Sequence, residues 1–214
     1  MKFLIGLLVG LVLLPIGLFC YLHFGNPPVA VADSPLPFER QLVHGPLHAR
    51  IAKDMPKTVP IQPTADNMIA GAQIYRQNCA FCHGLNSQNS TVAPHMYPQV
   101  PQLWQAHGTH SVVGVSDDPP GETYWKVANG IRLSGMPSFN QVLSSTQMWQ
   151  VSLLLANAEK PLPQAAMDIL SMPLTFTSQP PNPQLNNQLP NLPAPNNLQP
   201  SGLPTNNLQP QKPQ

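Results

Sequence analysis

Apolar and polar positions divide the chain into stretches of different period. Residues 3–24 read FLIGLLVGLVLLPIGLFCYLHF and hold no Asp, Glu, Lys or Arg. About 20 consecutive apolar residues span a bilayer, so this run predicts a transmembrane helix in which Pro15 is tolerated. Lys2, the lone cation before it, favours a cytoplasmic N-terminus and an exported remainder. A cleaved signal segment is the rival reading, with Ala30-Val31-Ala32 as the small-residue site. Signal h-regions are about 7–15 residues long, and the longer run here favours the uncleaved anchor. Cys20 follows bulky Phe19, which disfavours a lipid-modified cysteine and leaves it an apolar residue of the span.

Helical periodicity returns after a gap. In TADNMIAGAQIYRQN, residues 64–78, Met68, Ala72 and Tyr75 share a face with Gly71 and Ile74, and Thr64 is placed to cap the N-terminus. Residues 121–129 predict a short helix stopped by Gly130. Residues 144–158 are the best-marked helix: Ser144-Ser145-Thr146-Gln147 is a capping box, and Leu143 and Met148 stand where a hydrophobic staple needs them. Met148, Val151, Ser152 and Leu155 form its inner face, bordered by Trp149 and Leu153. Between these helices, residues 83–120 and 131–140 read as loop.

The remaining stretches lack a period. Prolines 27, 28, 35, 37, 46, 56, 60 and 63 mark a linker, with a short amphipathic helix around residues 38–53 interrupted at Gly45-Pro46. The C-terminal part repeats NNLQP, and after Asp168 its one charged side chain is Lys212. Such composition cannot bury enough apolar area to offset ordering, so disorder is expected. The division is therefore 1–25 anchor, 26–63 Pro-rich linker, 64–160 helical domain and 161–214 Pro/Asn/Gln-rich disordered tail. A net charge of +1 gives no electrostatic footprint for nucleic acid.

Chemistry concentrates at Cys79-Ala80-Phe81-Cys82-His83. C-x-x-C-H is the attachment pattern for a c-type haem. Two thiols three residues apart reach the two vinyl groups of one porphyrin as thioethers, and the adjoining imidazole of His83 meets the iron. A thioredoxin-like redox pair would want a βαβ setting, and none is visible. A structural zinc site would want four protein ligands, and no second C-x-x-C or H-x3-H completes one. His107 and His110 read as solvated loop residues.

The sixth ligand is expected to be Met136, in Ser134-Gly135-Met136-Pro137-Ser138-Phe139. A large thioether on a Gly/Pro-shaped loop is poorly explained as core, and Met/His ligation raises the reduction potential. The alternatives are weaker. Met96 follows the attachment site closely and would reach round with difficulty. Met148 belongs to the staple, and Met167 and Met172 precede the tail. His95, His107 or His110 would give bis-His ligation, against the tendency of loop histidines to be exposed.

At this point the chain resembles a class I mono-haem cytochrome c domain of the membrane-anchored bacterial type. The resemblance rests on GAQIYRQNCAFCHG at 71–84, GMPSF at 135–139 and the helix around Trp149, and covers about residues 64–159. It implies an all-α fold around one covalent haem c, with the first and last helices crossing. Gly71 would then allow close approach, and Tyr75 would pack near Trp149. The resemblance also implies that a proline carbonyl accepts the second imidazole proton of His83. Pro101 takes that role, with Pro98 as competitor. Tyr124 and Trp125 are placed either at the haem edge or in the core.

The expected function is single-electron transfer at the outer, periplasmic face of the cytoplasmic membrane, by a single-pass protein that is not itself an enzyme. Its partners would be a dehydrogenase, a bc-type complex or a terminal oxidase. The alternatives are a fixed cytochrome subunit of a membrane dehydrogenase or oxidase and, although Met136 argues against it, a peroxidase-like or gas-sensing haem.

Overall fold

The computed structural model describes residues 2–174, and the NNLQP segment lies outside them. Helix α1 (Lys2–Phe24) buries no residue, and among the described residues it is the one helix long and apolar enough to cross a membrane. Helix α2 (Glu39–Asp54) runs through Gly45-Pro46 without the expected interruption. Pro46 removes one backbone donor, but the stretch it occupies is exposed, so water can satisfy the carbonyl left over. The end of α2 is seated on the domain: Ile51 is buried.

Helix α3 (Ala65–Asn78) begins as expected, Thr64 Oγ1 accepting from Asn67 N at 3.3 Å. Its buried residues are Met68, Gly71, Ala72, Ile74 and Tyr75, the face the 3.6-residue period picks out. The short turn α4 (Ala80–His83) follows directly. The next segment carries a 3-10 turn at Ala93–His95 and an antiparallel pair, β1 (Ala106–His107) and β2 (Val112–Val113), with Ala106 opposite Val113. Helix α5 (Pro120–Asn129) ends at Gly130, whose φ of 68° is the left-handed cap glycine adopts readily. The linker carbonyl of Pro56 lies so close to Gly121 that any side chain there would collide with it.

Helix α6 (Ser145–Ala156) carries the full capping box, Ser144 Oγ accepting from Gln147 N and Gln147 Oε1 from Ser144 N. Leu143 and Met148 are both in the core, as a staple requires. Residues 151–155 are all buried, because α6 is covered by α3 on one side and α5 on another. The α3–α6 crossing is tight at Gly71, where a Cβ would strike the backbone carbonyl of Gln150.

Two further expectations are corrected. Helix α7 (Gln164–Ser171) falls within the stretch assigned to a disordered tail, and it packs on α3 with Ala166 and Leu170 fully buried. Arg76 closes its last turn, Nη2 donating to Pro173 O at 3.0 Å and Nη1 to Ile169 O at 3.3 Å and to Met172 O. Terminal carbonyls of any helix lack intrahelical partners, and a guanidinium from α3 serves Ile169 of the last turn and the two residues that follow the helix here. Tyr75 also pairs differently. Its ring meets Trp104 edge-on at 5.6 Å, whereas Trp149 stacks on Tyr124 at 4.3 Å.

Candidate functional site

Cys79 ends α3 and opens α4, so both cysteines and His83 sit on one short turn whose backbone is closed by His83 N donating to Cys79 O at 2.9 Å. Both cysteines are free thiols and half-buried. Burial pushes the Cys79 thiol up to about 12, with nearby Cys82 adding to the rise. It is therefore held as a neutral thiol, a poor metal ligand in the absence of a partner that claims it.

His83 Nδ1 donates to Pro101 O at 2.9 Å. Leu103 N returns a bond to His83 O at 3.1 Å, so the Pro101–Leu103 segment grips His83 by side chain and backbone together. Burial lowers the imidazole's pKa, partly opposed by the Pro101 carbonyl. A neutral ring with Nδ1–H donated leaves Nε2 as a free lone pair, and no hydrogen bond claims Nε2 among the described residues. Pro98 does not compete for this role.

The long segment after His83 is laced to the same turn by residues the sequence did not single out. Gln102 Oε1 accepts from Ser90 N at 2.7 Å while its Nε2 donates to Cys82 O at 3.3 Å. Ser90 Oγ donates to Phe81 O at 2.6 Å. The usable signal was adjacency: a polar residue following the proline that holds the imidazole is well placed to bind the attachment turn. Tyr75 OH reaches across from α3 to Gly84 O at 2.8 Å, and burial raises its pKa above the ordinary phenol value.

Met136 lies on the loop between α5 and α6, half-buried against the core. The loop is fixed by its backbone. Met136 N donates to Ser134 Oγ at 3.2 Å, Met136 O accepts from Ile131 N at 3.1 Å, and Phe139 N and Ser138 Oγ occupy the carbonyls of Val127 and Ala128 near the end of α5. The structure thus gathers Cys79, Cys82 and His83 on one turn, binds Pro101 to it through His83 Nδ1, and holds Met136 on a separate, well-tied loop. Tyr124 takes the core role, stacked on Trp149 with its hydroxyl 3.2 Å from Ser145 Oγ. Met148 is core, as expected, and His95, His107 and His110 are exposed. Among the described residues no group of three or more His, Cys, Asp and Glu could hold a metal ion on its own.

These residues fit a covalent haem c. Two unpaired thiols at the right interval and an imidazole with its outer nitrogen anchored and its inner one free are the donor set such a group uses.

A match to a known family agrees. Residues 66–153 match the family described as cytochrome C oxidase, cbb3-type, subunit III. No curated protein matches the chain. Among solved structures, a chain of the Kuenenia stuttgartiensis reducing HAO-like protein complex Kustc0457/Kustc0458 is similar at 21% identity, with a TM-score of 0.36. That alignment covers 46% of this chain and 46% of the other, so the present chain spans less than half the length of that neighbour.

Proposed function

We propose that the cytochrome c domain at residues 66–153 passes single electrons between redox proteins at the outer face of the cytoplasmic membrane, using one haem c held by Cys79, Cys82 and His83. The observation that carries the reading is the 2.9 Å bond from His83 Nδ1 to Pro101 O within a C-x-x-C-H turn. It fixes the tautomer and presents Nε2 as a ligand, and a carbonyl partner makes that nitrogen more basic. Met136 supplies the sixth ligand from its tied loop. The bound haem contributes a one-electron couple, and the chain contributes position, potential and exclusion of other ligands.

Helix α1 serves as a single-pass anchor, which confines the domain to the membrane surface and suits shuttling between respiratory complexes such as a dehydrogenase, a bc-type complex and a terminal oxidase. The near-neutral net charge gives little long-range steering, so encounter rests on this confinement. A second reading, a fixed cytochrome subunit of an oxidase, is favoured by the description of the matching family. Co-purification of a larger complex in mild detergent would select it.

The visible spectrum of the purified exported protein tests the central reading. Covalent haem c, a thioether-to-ferric band lost in Met136→Ala and no response of the reduced protein to carbon monoxide are expected. Ready carbon monoxide binding would transfer the protein to the peroxidase-like or gas-sensing class. Absence of haem after expression in a host able to attach it would end the reading.

A further inference from the structure

Gly135, beside the proposed ligand, has a specific neighbour. Its φ lies outside the left-handed region, so no backbone conformation demands glycine there. The one atom that a Cβ at 135 would meet within 4 Å is the terminal methyl of Met96, at a separation that would force one of them to move. A strap that the sequence suggested would reach round with difficulty is therefore in van der Waals contact with the residue preceding Met136. Met96 is half-buried, just beyond the Ala93–His95 turn, and Ser90 Oγ accepts from Ala93 N at 3.2 Å to hold that turn near the attachment site.

On its other side the strap meets the linker: Tyr97 and residues 28–31, 33–35 and 39 line a cavity of about 130 Å³. Linker, Tyr97, Met96, Gly135 and Met136 thus form one continuous line of neighbours.

We propose that Met96 is a positioning residue for the Met136 ligand: its side chain buttresses Gly135 and keeps the loop closed, so that the thioether of Met136 stays in place. The inference rests on Met136 being the sixth ligand. It assigns Met96 packing rather than ligation. Volume at position 96 should matter, and sulfur there should not.

The test uses the full-length haem protein in detergent and compares wild type, Met96→Ala, Met96→Leu and Met136→Ala. The readouts are the thioether-to-ferric band, the affinity of the ferric protein for added imidazole and the reduction potential. Met96→Ala should keep its haem and bind imidazole about tenfold more tightly, a loop destabilisation of about 1.4 kcal/mol. Its potential should fall as thioether ligation weakens. Met96→Leu, which restores the volume, should match wild type. Imidazole affinity in Met96→Ala within twofold of wild type overturns the proposal. So does a Met96→Leu variant as weakened as the alanine, since sulfur would then be the active property. Retention of the band in Met136→Ala would place Met96 on the iron and replace positioning by ligation. Absence of the band from wild type would remove the Met136 reading itself, and the buttress with it, which separates the two failures.

Discussion

Tyr75 OH donates to Gly84 O across 2.8 Å and lies 3.3 Å from His83 O, joining the last turn of α3 to the residue after His83. The acceptors are the carbonyls that leave the C-x-x-C-H turn, so the bond sets where that turn ends. Tyr75→Phe keeps the ring against Trp104 and strands a buried carbonyl. A loss of about 1–3 kcal/mol is expected, read as a lower denaturation midpoint with unchanged haem content.

The α3–α6 crossing predicts a loss of similar size from a single added methyl group. Gly71→Ala adds one methyl group against Gln150 O, a backbone atom that cannot rotate away. Separating the helices would open the core around Leu154, so destabilisation of about 1–3 kcal/mol is expected from chemical denaturation. Wild-type stability in Gly71→Ala would mean the crossing is looser than described.

Arg76 and Leu170 predict how α7 is held. Leu170→Ala should cost about 2–5 kcal/mol, as for other fully buried leucines. Arg76→Gln should leave the core intact but free the end of α7, read as faster proteolysis within residues 161–174 at unchanged haem content. Equal proteolysis rates in wild type and variant would show that the guanidinium contributes nothing to docking.

A pH dependence follows from Glu159, whose Oε1 accepts from Val113 N at 2.9 Å. That bond holds the carboxyl below its ordinary range. A carboxylate with a depressed folded pKa stabilises the fold above its unfolded pKa and loses that contribution as pH falls through the folded value. Stability should therefore decline on acidification below the usual carboxylate range, and Glu159→Gln should flatten that part of the profile. The measurement is thermal midpoint against pH for both proteins.

Much of this architecture was legible because local signals and core packing coincide. The face Met68–Ala72–Tyr75, the Thr64 and Ser144 caps and the Gly130 stop each have a short-range cause visible in a few residues. The cysteine pair and His83 were legible for the same reason, since one turn carries all three. What escaped depends on long-range partners. Eight residues of α7 have little intrinsic claim to helix beside so many prolines, and they form one docked on α3, where Ala166 and Leu170 are buried and Arg76, some 93–97 positions earlier, binds Ile169 O and the carbonyls just past the helix end. Met96 was set aside on sequence distance, and the loop's actual path brings it to Gly135. Pro46 was read as a break because sequence does not show which carbonyls water can reach.

The seating of α2 sets a length scale. With Ile51 buried and Pro56 against Gly121, the proline-rich stretch is not a slack tether along its whole course. Between the end of α1 and the start of α2 only residues 25–38 remain to pay out. Fully extended they reach roughly 50 Å, at about 3.3–3.6 Å per residue. If α1 stays in the bilayer, the domain is on a short leash. An electron partner then has to share its membrane or stand close above it, and exchange becomes a matter of two-dimensional encounter.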